Sequence, residues 1–166
     1  MCDLVKLAKD SIKYYLANNK YLTEYDESLK ANNNGVIISV RQGDRVERCG
    51  SIYPTRSDIG LDVIYEAVNA TVFNNGIDMT SQSVDDLDIW VFEVTKIEQI
   101  QFIEDFGMYH GLILKYQNNT ALVFRSDYES DYQMFEDAID IANVDSTDIF
   151  TMEKFKMIRH MDTKSL

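Results

Sequence analysis

One proline and seven glycines in 166 residues leave no stretch rich enough in either to act as a flexible linker, so the chain reads as a single domain over 1–166. Two cysteines, Cys2 and Cys49, are too few for a disulfide scaffold. One of them sits at a terminus expected to fray, which points to reduced thiols and a cytoplasmic setting. The opening segment mixes apolar side chains with Lys6, Lys9, Asp10 and Lys13, so neither a signal peptide nor a membrane span is expected there. Basic residues are in deficit. Sixteen Lys and Arg against 28 Asp and Glu give a formal charge of -12, and Arg41, Arg45, Arg48 and Arg56 are interrupted by Asp44 and Glu47 rather than gathered into a stripe. Nucleic acid and anionic membranes are therefore not expected as partners.

The motifs of cofactor and metal chemistry are missing too. There is no phosphate-binding glycine loop, dinucleotide fingerprint, GxSxG elbow, HExxH or CxxC pair, so no cofactor and no metal is expected. Asp105-Phe106-Gly107 spells the magnesium tripeptide of protein kinases without the other motifs it needs. Asp127, Glu129 and Asp131 imitate the first ligands of a calcium loop, but Tyr132 takes the glycine position and Ala138 the bidentate glutamate position. In a reducing compartment, Asn69 and Asn118 are chance glycosylation matches.

What remains is patterned. Leu4, Leu7, Ala8, Ile12, Tyr15 and Leu16 recur at helical spacing and predict an amphipathic first helix with a solvated lysine face. Asn18 to Gly35 reads as an irregular surface connection. Val36 to Val40 and Arg45 to Ile52 flank Gln42-Gly43-Asp44 and predict a hairpin. After Pro54, Ser57 or Asp58 caps a helix carrying Val63, Ile64, Ala67, Val68 and Thr71, which Asn74-Asn75-Gly76 ends. Asp88 to Thr95 follows as a central strand, apolar on both faces except at Glu93.

The order then repeats. Leu112 to Tyr116 and Ala121 to Arg125 form a second hairpin. Ser130 and Gln133 resemble a capping box for a helix buried through Met134, Phe135, Ala138, Ile139 and Ala142. Thr151 to Met161 is the last strand. Two hairpin-helix-strand units predict an α+β domain of layered sheet and helices, a pseudo-duplication with a cleft between its halves.

Several segments in this order resemble the AMMECR-type domain family, named after a chromosomal region linked to Alport syndrome, midface hypoplasia and elliptocytosis. They are Leu7-Ala8 to Leu16, Gly35 to Val40, Gly50-Ser51-Ile52-Tyr53-Pro54-Thr55-Arg56, Ala67 to Phe73, Asp86-Leu87-Asp88-Ile89, His110-Gly111-Leu112-Ile113 and Ile149 to Phe155. The resemblance spans nearly the whole chain and implies a two-part α+β fold with a cleft. It brings no established reaction; bacterial and archaeal relatives are often encoded beside radical-SAM and Memo-type proteins. The chain departs from the family's Arg-Gly-Cys-Ile-Gly run, reading Glu47-Arg48-Cys49-Gly50 instead. Without a gap, Gly50 matches the second glycine and Arg48 replaces the cysteine; a one-residue gap keeps Cys49 as the cysteine.

Two functional expectations follow. The first is a non-catalytic binding or adaptor module for a small anionic molecule or a protein partner, with Arg48, Thr55 and Arg56 as the ligand-binding residues and Arg56 beside the free N–H groups of a helix start. The second is an enzyme with Cys49 as nucleophile, activated by nearby arginines, and His110 as base, acting beside radical-SAM or Memo-type partners. A buried strand cysteine and a structural histidine are the ordinary alternatives.

Overall fold

The computed structural model describes residues 3–31, 33–74, 77, 79, 83–145 and 149–161. Its elements are α1 (Asp3–Asn18), β1 (Val36–Gln42), β2 (Arg45–Ser51), α2 (Ile59–Thr71), β3 (Asp88–Ile100), β4 (Gly111–Tyr116), β5 (Asn119–Phe124), α3 (Asp131–Ala142) and β6 (Thr151–His160). Helices accompany antiparallel strands, so the fold is α+β. Two compact units are present, one of Met1–Val94 with Ile158–Leu166 and one of Thr95–Met157. Strands β3 and β6 contribute residues to both.

In the first unit β1 lies between β2 and β3, and Val36, Ile38 and Val40, two residues apart, face the helices. They pack with Leu4, Val5 and Ile12 of α1 and with Val63, Ile64 and Ala67 of α2. Each of the Val, Leu and Ile side chains contributes about 1.5–3 kcal/mol through burial. The hairpin turns through Gly43 at φ 60°, the left-handed conformation a two-residue turn demands. Gly50 is more constrained, at φ 133° opposite Ile37, with the Val36 carbonyl where a Cβ would point.

Two expectations for this unit need correction. Lys9 is not on a solvated face: its stem is buried and its ammonium donates to the Asp85 carbonyl at 3.3 Å. The 18–35 connection is not wholly irregular, since a 3-10 turn runs over Glu27–Ala31 and Tyr21 and Tyr25 pack against the core. Helix α2 closes at Thr71 with Val72 as its cap; Asn75, Gly76 and Cys2 lie outside the described residues. Glu93, the polar exception in the expected Asp88 to Thr95 strand, accepts from Asn34 at 2.7 Å and pairs with His160 at 3.1 Å.

Asp58 is the cap of α2. Its carboxylate accepts from the Leu61 N–H at 3.0 Å and from the Tyr25 hydroxyl at 2.8 Å. Burial opposes ionisation of Asp58, but the bonds from Leu61, Tyr25 and Ser57 outweigh it and hold the carboxyl below its usual range. A depressed folded-state value means the stabilisation is complete above the ordinary carboxylate range and fades as pH falls through the depressed value. Asp58→Ala is expected to cost about 1–2 kcal/mol at neutral pH in a urea titration, while Asp58→Asn, which keeps the cap, retains most of it and loses the acid dependence.

The second unit places β4 between β5 and β6. Leu112, Leu114, Ala121 and Val123 pack there against Met134, Ala138 and Ala142 of α3. The expected capping box forms with a shift: Ser130 accepts from the Gln133 N–H at 3.1 Å, and the Gln133 side chain accepts from Glu129 rather than from Ser130. Asn143 ends α3 in the left-handed conformation. Phe135 and Ile139 are only partly buried, so the apolar stripe is narrower than the spacing suggests. Phe106 of the Asp-Phe-Gly tripeptide is fully buried in this core, which gives that motif a packing role.

Candidate functional site

Strand alternation sorts the predicted ligand residues. Cys49 pairs with Ile38 and shares the helix-facing side of the sheet, whereas Arg48 pairs with Ser39 and projects from the other side. Arg48 is therefore separated from Cys49, while Thr55 and Arg56 are brought together over α2.

Their meeting point is a pair of acids that sequence inspection missed, Asp62 and Glu66, which continue the four-residue spacing from the cap Asp58 along the largely apolar α2. Arg56 Nη1 donates to Asp62 Oδ1 and to Glu66 Oε1, both at 2.9 Å, and to Thr55 Oγ1 at 2.8 Å. The Thr55 hydroxyl donates in turn to Asp62 at 2.5 Å, and its backbone N–H reaches the second Asp62 oxygen at 3.1 Å. The guanidinium stacks 4.1 Å over Tyr65, which stacks at 4.0 Å on Tyr21. Helix-spaced acids in an apolar stripe are the signal that would have revealed the partner of Arg56.

This arrangement changes the chemistry expected of Arg56. The carboxylates that meet its guanidinium and the helix start belong to the chain itself, Asp62 and Glu66 for Nη1 and Asp58 for the Leu61 N–H. Two acids against one arginine leave the cluster net negative. What it does is clamp the 51–57 segment to α2.

Cys49 adjoins the same clamp. Its Sγ donates to Glu66 Oε2 at 3.2 Å, and Asn69 donates to the same oxygen at 3.2 Å. Burial, then the bond to Glu66 and its charge, push the thiol up to about 11 despite Arg56. Glu47, two residues before Cys49, accepts from Asn74 at 2.8 Å. His110 belongs to the second unit, where its Nδ1 accepts the Met157 N–H at 2.9 Å and its backbone bonds to Phe155 and Arg125. Accepting at Nδ1 puts the ring proton on Nε2. Cys49 and His110 thus each have a partner within their own unit. No group of His, Cys, Asp and Glu suited to a metal ion occurs among the described residues. No described helix is long and apolar enough to cross a membrane.

The fold and this clamp define an α+β domain with a protonated cysteine beside an arginine-carboxylate cluster. No family model matches the chain. It is 25% identical over 170 residues to Protein CA_C1420 of Clostridium acetobutylicum, a match covering 96% of this chain and 36% of that protein. The chain therefore spans 36% of the length of the curated relative it matches. The crystal structure of the uncharacterised protein PH0010 from Pyrococcus horikoshii superposes with a TM-score of 0.73 at 17% identity, covering 96% of this chain and 90% of that one. That likeness is one of fold.

Proposed function

We propose that this chain is an AMMECR-type domain working as a non-catalytic binding module for a small anionic ligand, with its repeated hairpin-helix-strand order a pseudo-duplication. The observation that carries the reading is the state of the Cys49 thiol, whose proton is shared with Glu66 and held to about 11. A nucleophilic cysteine needs the reverse, a neighbouring cation or base that lowers its titration. The Arg56 field that could have done so is neutralised by Asp62 and Glu66. A reducing intracellular setting belongs to the same proposal, with Cys49 as a free thiol.

Alkylation of Cys49 by iodoacetamide as a function of pH tests it. The expected rate profile rises towards a midpoint near 11, and Glu66→Gln moves it part of the way down by removing the carboxylate's charge while burial remains. A wild-type midpoint at about 7 or below, abolished in Cys49→Ser, would establish an activated thiol and favour the enzyme instead.

A further inference from the structure

The second unit gathers positive charge that the overall balance of -12 conceals. Three ammonium groups surround the ring of Tyr109, with Lys154 at 4.2 Å, Lys156 at 4.8 Å and Lys96 at 6.0 Å from its centroid. Strand alternation brings them together, because Lys154 and Lys156 are two apart on β6 and Lys96 and Glu98 are two apart on the neighbouring β3. Glu98 answers them: it accepts from the Tyr109 hydroxyl and pairs with Lys96 at 2.5 Å and Lys154 at 3.9 Å. Lys154 also donates to the Asp105 carbonyl at 2.6 Å. The ammonium of Lys156, half-buried, has no ion pair or hydrogen bond among the described residues. Glu98 and Lys154 also line an open cavity of about 620 Å³ together with Gln99, Gln101, Phe102 and Asp105.

We propose that this cluster binds the phosphate group of a small phosphate monoester whose organic body lies in the adjoining cavity. Three like charges around one ring repel one another, and the ring quadrupole offsets only part of that repulsion. Glu98 neutralises one charge, leaving an excess of two around the ring before the Asp105 carboxylate on the cavity wall is counted, so the cluster attracts an anion such as a phosphate monoester. Lysine suits this role as a compact point charge, and Lys156 has no acceptor for its ammonium among the described residues. Asp105 on the cavity wall disfavours a second anionic group there, which selects one phosphate rather than a chain of them. Gln99 and Gln101 supply amides and the exposed Phe102 an apolar ring for the remainder of the ligand. The proposal rests on the binding-module reading and supplies its ligand class, at lysines rather than at Arg56.

Titration of the isotope-labelled full chain with inorganic phosphate and with phenyl phosphate, followed by NMR at low ionic strength, tests the site. Both probes should saturate, phenyl phosphate more tightly, with the largest shifts near Tyr109. Lys156→Ala and Lys156→Gln should each weaken binding about tenfold with the fold intact by circular dichroism. Glu98→Gln should strengthen it, because the competing carboxylate is gone, while Asp44→Asn, the same change of net charge in the first unit, should not. No saturable binding, wild-type affinity in both Lys156 variants, or equal strengthening by Glu98→Gln and Asp44→Asn would overturn the site. Phenyl phosphate binding no more tightly than inorganic phosphate would overturn the cavity's part in it. Since Cys49 alkylation is measured independently, the site can fail while the binding-module reading stands, and the reverse.

Discussion

Replacing Gly50 by alanine is expected to cost on the order of 4 kcal/mol, a large share of the roughly 5–15 kcal/mol by which an ordinary domain is stable. The added Cβ would lie 2.1 Å from the Val36 carbonyl oxygen and 2.9 Å from the Ile37 Cα, both backbone atoms that cannot rotate away. The residue also holds φ at 133°, which an L side chain rarely adopts, so strain and collision add. Gly43→Ala in the same hairpin is the matched control: its φ is 60° but nothing lies within 4 Å, so only the left-handed cost of about 1–2 kcal/mol applies. Urea denaturation of both variants should separate them clearly. A Gly50→Ala protein as stable as Gly43→Ala would show that β2 does not approach β1 as described.

Arg56→Ala should be the next most damaging change, at about 2–4 kcal/mol. That range allows for the quarter of its side chain that remains exposed, 26%, where water screens the charges. The loss comes less from the attraction removed than from what is left behind, since Asp62 and Glu66 are buried acids facing each other without a cation. Adding Glu66→Gln to Arg56→Ala should therefore recover part of the stability, an outcome a simple sum of the two effects does not produce. Arg56→Lys should fall between, keeping the charge but losing the planar stack on Tyr65. Denaturant midpoints decide it: an Arg56→Ala chain of wild-type stability would show that the wild-type guanidinium does not hold the clamp, and return the anion site to the 51–57 segment.

These two positions show how legibility divides. Gly50 stood out in sequence as part of the run that resembles the AMMECR-type family, yet nothing local revealed that its neighbour is a carbonyl of β1. Arg56 was legible as an arginine before a helix start, and its spacing even suggested an anion nearby. The anion turned out to be the chain's own, because α2 turns Asp62 and Glu66 towards the incoming segment. Lys9 was assigned to a wet face by helical periodicity alone, which says nothing about the Asp85 carbonyl that meets it. The lysines around Tyr109 escaped notice because strand β3 was expected to stop at Thr95, one residue before Lys96, and runs instead to Ile100.

The sequence by itself determined the hairpin turns, the cap at Ser130, a cap for α2 at Ser57 or Asp58, the centres of the helices' apolar faces though not their edges at Leu16, Phe135 and Ile139, and the α+β class. Each depends on residues within one or two turns of one another, where steric preference and hydrogen-bond reach act locally. Only the tertiary structure decided which charges meet. Cys49 lies 17 residues from Glu66 and Lys13 lies 72 from Asp85. A charge's behaviour is set by its neighbours in space and by how much water reaches them, and both depend on how the helices pack on the sheet.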